Sequence, residues 1–291
     1  MGIKGNITRI LAQKFNSYIT YASVNKGKES APGQLSINDL MNIYNFKNIN
    51  IKTKILGVIG EHAENSKSKY MHNSNFKKLN LNYVYIPFIV NPNELESFMI
   101  NFREFNFRGA AVTVPHKELI VNLIDNLDKT AKEIGATNTL VNNENNITGH
   151  NTDYYGAITA LKEKTNIKDK KVLVIGAGGA ARAMIYGLNI EKAKTTIINR
   201  TYEHAKKLGI EFDVEYDRIE NLYKYLNNTN IIINTTSVGM NPNPNNCIIP
   251  KEIFPNNKII MDIVYNPVET ILIKLAKQND CLTITGDKML A

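Results

Sequence analysis

The run Val172-Leu-Val-Ile-Gly-Ala-Gly-Gly-Ala-Ala-Arg182 limits what this chain can fold into more than any other stretch, because a short apolar segment opens straight into glycines and then alanines. That order reads as a strand, a tight turn and a helix start. Gly176, Gly178 and Ala181 fit the G-x-G-x-x-G/A spacing of a dinucleotide site. The first position permits the sharp turn, the second lets backbone approach a pyrophosphate, and the third lets helix and strand pack closely. The helix beyond the turn points free N–H groups at the phosphates. In such a fold the second strand ends about 20 residues further on, beside the adenosine ribose, with an acid there when the 2′ position is a hydroxyl. Here that strand is Thr195-Thr-Ile-Ile-Asn199, and its tip carries Arg200-Thr201 and no carboxylate. A guanidinium suits a phosphate, which favours NADP(H) over NAD(H). A glycine turn can also serve packing alone, and Arg200 can be a merely solvated arginine, so the rest of the chain has to decide.

At 291 residues the chain suits two domains, each able to bury its own core. The net charge of +8 comes from lysines scattered among asparagines and isoleucines, without the basic run and interleaved aromatics of a nucleic-acid binder. It reads as solvated surface that also favours an anionic substrate and a phosphate-rich cofactor. Cys247 and Cys281 form neither a CxxC nor a Cys/His cluster, so no metal site or disulfide framework is implied. The stretch Met1–Ile19 lacks a signal-type apolar core, and no membrane segment is expected. A cytoplasmic setting is therefore the expectation.

Residues 1–53 differ in texture from the rest of the chain and end in the link Asn45-Phe-Lys-Asn-Ile-Asn-Ile-Lys-Thr53. The pattern predicts a helix around Thr8–Phe15, a strand over Ser17–Val24, a loop through Lys26–Gly33, and a helix from Ser36 to about Tyr44 with Ser36 as N-cap. Met1-Gly-Ile-Lys-Gly-Asn-Ile-Thr-Arg9 and Ser30-Ala-Pro-Gly-Gln34 resemble the C-terminal end of a type I 3-dehydroquinate dehydratase. That resemblance implies that Arg9, Ser30 and Gln34 descend from groups holding a substrate's carboxylate and hydroxyls. The family is an eight-stranded βα barrel whose Schiff-base lysine and catalytic histidine precede these motifs, so a barrel fragment without dehydratase activity is expected. It reads as a remnant of a fused ancestor or half of a split gene, either packed on the next domain or locally disordered.

From Lys54 the text alternates strand and helix: Ile55–Ile59, a polar loop over 60–69, a helix from about Tyr70, the strand Tyr83–Val90, and a helix after Pro92. In that helix Leu95, Phe98, Met99, Phe102 and Phe105 share one face. The strand Gly109–Val114 leads into Pro115-His-Lys117, further helical text ends at Gly135, and a hairpin-like segment closes on Gly149-His-Asn-Thr-Asp153. This is an α/β layer with a largely parallel sheet, residues 54–153, joined by a helix over Tyr154–Lys164 to a Rossmann-type domain, residues 154–291. That second domain continues through Asn230–Met240 and Lys258–Pro267. Ligands of open α/β sheets bind beyond the carboxyl ends of the strands, so the polar tips of both domains are expected to face one crevice.

Those tips supply Ser66, Ser68, Thr113, Lys117, Asn138 and Asp153: hydroxyls, an amide, an ammonium and a carboxylate suited to a small polyhydroxylated substrate. Hydride transfer between a C–OH and a nicotinamide needs a group to take or return the hydroxyl proton. Lys117, with Asp153 as its partner, is the best candidate. His62, His72, His116 and His150 pair with no serine or cysteine at nucleophile spacing and read as polar loop residues.

From about Ile55 to Leu290 the chain resembles the shikimate dehydrogenase family. The resemblance rests on Asn65-Ser-Lys-Ser68 with Met71-His-Asn73, Val112-Thr-Val-Pro-His-Lys117, Gly135-Ala-Thr-Asn-Thr139, Asn151-Thr-Asp153, Gly176-Ala-Gly-Gly-Ala-Ala181, Asn199-Arg-Thr201, Asn234-Thr-Thr-Ser-Val-Gly-Met240 and Val264-Tyr-Asn-Pro267. It implies a catalytic pair, Lys117 and Asp153, and contacts to shikimate from Ser66, Ser68, Thr113, Asn138, Tyr265 and Gly286. It places NADP(H) on Gly176, Ala177, Gly178, Gly179 and Ala180, on Asn199, Arg200 and Thr201, and on the loop from Ser237 to Met240. Asn65 and Lys69 stand where the family usually has histidine and proline, Ala111 where asparagine is usual, and His204 where a cation usually supports the 2′-phosphate. Gly286-Asp-Lys-Met-Leu-Ala291 resembles the start of the family's closing segment, without the glutamine and terminal helix expected after it.

The expected function is NADP-dependent reduction of 3-dehydroshikimate to shikimate. The alternatives are an inactive or split-gene fragment that still binds, and a quinate/shikimate dehydrogenase using NAD. The expected partners are the small-molecule substrate, no nucleic acid and no membrane, in a monomer or homodimer, with a separate chain completing the dehydratase barrel as a further option.

Overall fold

The computed structural model describes residues 2–289; Leu290 and Ala291, which end the expected closing segment, lie outside the described residues. The chain divides into two compact units. The first holds the residues up to Ala131 together with Thr137–His150, and the second holds Lys132–Ala136 and the chain from Asn151 onward.

The first unit is built on β1 (Lys54–Gly60), β2 (Tyr83–Ile89), β3 (Gly109–Val112), β4 (Asn126–Leu127), β5 (Thr139–Asn143) and β6 (Asn146–His150), in the order β2-β1-β3-β5-β6-β4. β1 runs parallel to β2 and β3, while β5 is antiparallel to both β3 and β6. The β5–β6 turn places Glu144 and Asn145 at φ of 53° and 68°, the consecutive left-handed pair that matches the twist of a tight hairpin. The helix Leu95–Glu104 buries Leu95, Met99 and Phe102, whereas Phe105, just past its end, is about half exposed. The apolar stripe is real but one residue shorter than its spacing suggests. β3 stops at Val112, two residues before the expected end, and the helical text after Lys117 is interrupted by β4, which pairs with β6.

Residues 2–53 share this unit's core. Ile10, Leu11, Leu40, Tyr44 and Ile49 pack in one cluster with Ile55, Val84, Phe88 and Phe102. The Lys4 ammonium pairs with Glu94 at 2.6 Å, and Lys14 Nζ donates to the carbonyls of Ile51 and Thr53 at 3.0 and 2.7 Å. The expected helix Thr8–Phe15 is instead Asn6–Ile10 followed by turns, and the second helix is Ile37–Asn42, with Ser36 Oγ accepting from the Asp39 N–H at 3.0 Å as an N-cap. The expected strand Ser17–Val24 does not form. Only an isolated bridge, Ser23 to Ser36, survives, and Tyr18 is 99% exposed. A β-prone segment becomes a strand only when a neighbour accepts its ladder of hydrogen bonds, and among the described residues the pairing beside it stops at that single bridge.

The second unit is a parallel sheet of β7 (Lys171–Ile175), β8 (Lys194–Asn199), β9 (Glu215–Arg218), β10 (Ile231–Asn234), β11 (Ile259–Asp262) and β12 (Leu282–Ile284), ordered β12-β11-β10-β7-β8-β9. Successive residues of its strands feed opposite faces. Val172, Val174, Ile231 and Ile233 join one core with Ile185 of the helix Gly179–Ile190. Leu173, Ile175 and Ile232 join another with Leu272 of the helix Ile271–Gln278. Burial on both faces is why these strands read as unbroken apolar runs. The strand order reverses between β7 and β10, the switch point at which such sheets open a crevice beyond their carboxyl ends. No helix among the described residues is long and apolar enough to cross a membrane.

Candidate functional site

In the first unit the predicted substrate residues come to one edge of the sheet. Thr113 follows β3, and its N–H donates to Ile59 O at 2.9 Å, beside the end of β1. Asn138 precedes β5, which runs antiparallel to β3, so its start lies at the same edge, and its carbonyl accepts from the Val112 N–H at 2.7 Å. The loop after β1 carries Ser66, which is buried, and Ser68, which opens the helix Ser68–Lys78 and donates its N–H to Ser66 Oγ at 3.2 Å. Gly60 is needed at this edge because a β-carbon there would lie 2.4 Å from Thr113 Cγ2. Lys117 is half-buried on the short helix His116–Leu119, and its carbonyl accepts from the Thr137 N–H at 2.8 Å.

The histidines divide. His116 is fully buried, so it is not the polar loop residue expected of it. Its Nε2 lies 2.7 Å from Val90 O; a carbonyl can only accept, so Nε2 carries the proton and ties the Lys117 helix to the loop after β2. His72 stacks on Tyr85 with ring centroids 4.3 Å apart, and burial pushes its pKa down. His150 Nδ1 bonds Asp128 Oδ2 at 2.6 Å.

In the second unit β7 runs into Gly176, the residue after its end, whose φ of +117° only glycine adopts readily. A β-carbon there would also meet Thr235 Oγ1 at 2.5 Å. Gly178, the N-cap of the helix Gly179–Ile190, is exposed and faces open space, with nothing within 4 Å of the position a β-carbon would take. Ala177, Gly179 and Ala180 flank it half-buried, and Ala181 is buried in the strand-helix core. Asn199 at the tip of β8 donates from Nδ2 to Thr201 O at 2.9 Å. Arg200 beside it is exposed and, among the described residues, has no ion pair. Ser237 is exposed and Met240 half-buried in the loop after β10, and Tyr265 is half-buried after β11. Gly286 is buried against Ile263 O, which a β-carbon would approach to 2.4 Å. Asp153, also buried, begins the helix Asp153–Lys162 and donates its N–H to Asn151 Oδ1 at 3.1 Å.

Two supports gave no signal in the sequence. Asp262, at the end of β11, is fully buried; its Oδ1 accepts from Asn234 Nδ2 and the Val264 N–H, and its Oδ2 from Thr270 Oγ1 at 2.6 Å. Burial pushes its carboxyl above the usual aspartate range, against the pull of those three donors. This network ties the loops after β10 and β11 to the helix Ile271–Gln278. The second support is Arg182, buried on the helix after the glycine turn, which donates from Nε to Ile134 O at 2.6 Å and pairs with Glu211.

Arg9, Ser30 and Gln34, singled out by the dehydratase resemblance, line one cavity of about 390 Å³ together with Thr8, Ser17 and Thr20.

The chain matches three family models: the shikimate dehydrogenase substrate binding domain over residues 58–140, shikimate/quinate 5-dehydrogenase over 159–263, and type I 3-dehydroquinase over 1–51. It is 36% identical to the chloroplastic bifunctional 3-dehydroquinate dehydratase/shikimate dehydrogenase of Arabidopsis thaliana, with 99% of this chain aligned to 50% of that protein. The chain thus spans about half the length of that relative. Against a shikimate dehydrogenase (NADP(+)) of Caldanaerobacter subterraneus the identity is 39%, covering 83% of this chain and 89% of the relative. Among solved structures, a shikimate dehydrogenase in complex with NADP+ superposes with a TM-score of 0.75 at 38% identity, covering 83% of this chain and 87% of that one. The Thermus thermophilus shikimate 5-dehydrogenase in complex with NADP(H) and shikimate gives 0.72 at 30% identity, covering 81% and 88%.

Proposed function

This chain belongs to the shikimate dehydrogenase family, and on that premise we propose that it reduces 3-dehydroshikimate to shikimate with NADPH. One observation carries the reading: Ser66, Ser68, Thr113, Asn138 and Lys117, singled out by sequence for their hydroxyls, amide and ammonium, have their main chain at one edge of one sheet. The second unit's residues fit the cofactor. Gly178 leaves its α-carbon open at a helix N-terminus, and Arg200 offers an exposed guanidinium, without an ion pair among the described residues, at the strand tip where a 2′-phosphate would sit.

Bound NADPH supplies a hydride to the ketone carbon. As negative charge grows on the ketone oxygen, the Lys117 ammonium donates a proton to it and Asp153 serves as the ammonium's counter-charge. Ser66, Ser68, Thr113 and Asn138 hold the substrate's polar groups, with Tyr265 and Gly286 assigned alongside them. Asn199, Thr201, Ser237 and Met240 join the glycine turn in holding the cofactor.

The test is NADPH oxidation with 3-dehydroshikimate. Lys117→Met is expected to lower kcat by roughly 10²–10⁴ with NADPH affinity unchanged; a variant within tenfold of wild type removes the role given to Lys117. A preference for NADH over NADPH, or for quinate over shikimate, would favour the NAD-dependent alternative instead.

A further inference from the structure

Lys69 occupies the place where the resembled family usually has proline, directly after the second of the two serines. Proline stiffens a loop by fixing its own φ. Lysine has no such ring, and here its side chain folds back along the loop. Nζ donates to Glu64 O at 2.8 Å, five residues upstream, and lies 5.2 Å from the centroid of the Tyr70 ring. Between the two ends of that tether sit Ser66 and Ser68, already joined by the Ser68 N–H to Ser66 Oγ bond. The Ser66 N–H donates to Ala63 O at 3.0 Å, so the loop is closed by main-chain, hydroxyl and ammonium bonds in turn.

The environment argues that this is a built contact. Lys69 is half-buried, and one carboxylate oxygen of Glu64, Oε2, is buried without a hydrogen bond among the described residues. A carboxylate in that state needs a cation nearby. The charged groups facing the Lys69 ammonium are Asp39 from the helix Ile37–Asn42, Glu64 from its own loop and Lys26 from the 26–33 loop.

We propose that Lys69 is a positioning residue: its ammonium clasps Glu64 O and so holds Ser66 and Ser68 in the arrangement that receives the substrate. The inference rests on those serines being substrate contacts, as the proposed function has them. It makes Lys69 a determinant of substrate affinity that acts through its neighbours.

Two measurements separate the clasp from the proposed function. The first needs no substrate: amide hydrogen exchange over residues 66–69 of the full chain is expected to accelerate about tenfold in Lys69→Met and to stay near wild type in Lys69→Arg, which keeps a donor across the same span. The second is kinetic: Lys69→Met is expected to raise the KM for 3-dehydroshikimate about tenfold, with kcat within twofold and NADPH affinity unchanged, and Lys69→Arg to restore most of it. Burial lowers the Lys69 pKa, so the wild-type KM should begin to rise with pH below the ordinary lysine range as the ammonium is lost, and that rise should vanish in Lys69→Met. Unchanged exchange in Lys69→Met overturns the clasp. Faster exchange with an unchanged KM, or a fall in kcat alone, overturns the positioning role. Absence of wild-type turnover indicts the proposed function and leaves the exchange result to decide the clasp.

Discussion

The glycine turn allows folding and cofactor binding to be perturbed separately by the same small change at two positions. At Gly176 an added methyl meets two obstacles. The backbone sits at φ +117°, where a side chain costs about 1–3 kcal/mol, and the β-carbon would lie 2.5 Å from Thr235 Oγ1. Clearing that contact means moving a hydroxyl that now donates to Ile175 O at 2.8 Å, a bond worth about 1 kcal/mol. Gly176→Ala is therefore expected to destabilise the protein by about 2–4 kcal/mol. At Gly178 φ is −104° and the methyl meets nothing. Gly178→Ala should fold with a loss below about 1 kcal/mol yet fill the space through which a phosphate reaches the helix N–H groups. Losing one charge-assisted bond there, about 1.5–3 kcal/mol, weakens NADPH binding roughly ten- to a hundredfold. Urea denaturation and NADPH titration of both variants give the four numbers. In a Thr235→Ala background the cost of Gly176→Ala should shrink by about 1 kcal/mol, because the closest contact has gone, leaving the backbone strain and the looser approach to Thr236 Cγ2 at 3.1 Å. A Gly176→Ala protein within about 0.5 kcal/mol of wild type, or a Gly178→Ala protein that binds NADPH normally, would refute the division of labour between the two glycines.

Two further outcomes test other parts of the molecule. Leu40, 3% exposed in the core shared by residues 2–53 and β1, should cost about 2–5 kcal/mol when changed to alanine, read from the urea midpoint; no shift would mean that the N-terminal segment does not contribute to the first unit's stability. Asp262 is an acid whose folded pKa is raised, so the folded state holds its proton more tightly than the unfolded chain and stability falls as pH climbs from about 4 toward the raised value. Asp262→Asn cannot titrate and should flatten that part of the stability-against-pH curve; identical slopes for the two proteins would count against the assignment.

The parts of this fold that sequence made legible are those whose requirements are met by neighbours along the chain. Gly176 to Ala181 states its own turn, Ser36 and Asp39 state their own cap, and the alternating faces of β7 and β10 are written in uninterrupted apolar runs. Ser17–Val24 has the composition of a strand and failed as one, because strandedness belongs to a pair and its composition cannot supply the second member. The same physics hid the Asp262 network. Asn234, Asp262 and Thr270 are ordinary polar residues until β10 and β11 come side by side, and only then does a buried carboxylate acquire donors from a strand end and a helix cap. His116 went the same way, its partner being the carbonyl of Val90 at the end of a different strand. Lys69 is the intermediate case: the departure from proline was visible in the sequence, but a lysine carries no mark of where its ammonium will go. Residue identity thus marked the polar groups at the strand tips, while the second layer that holds those tips still depends on which strands the topology places next to one another.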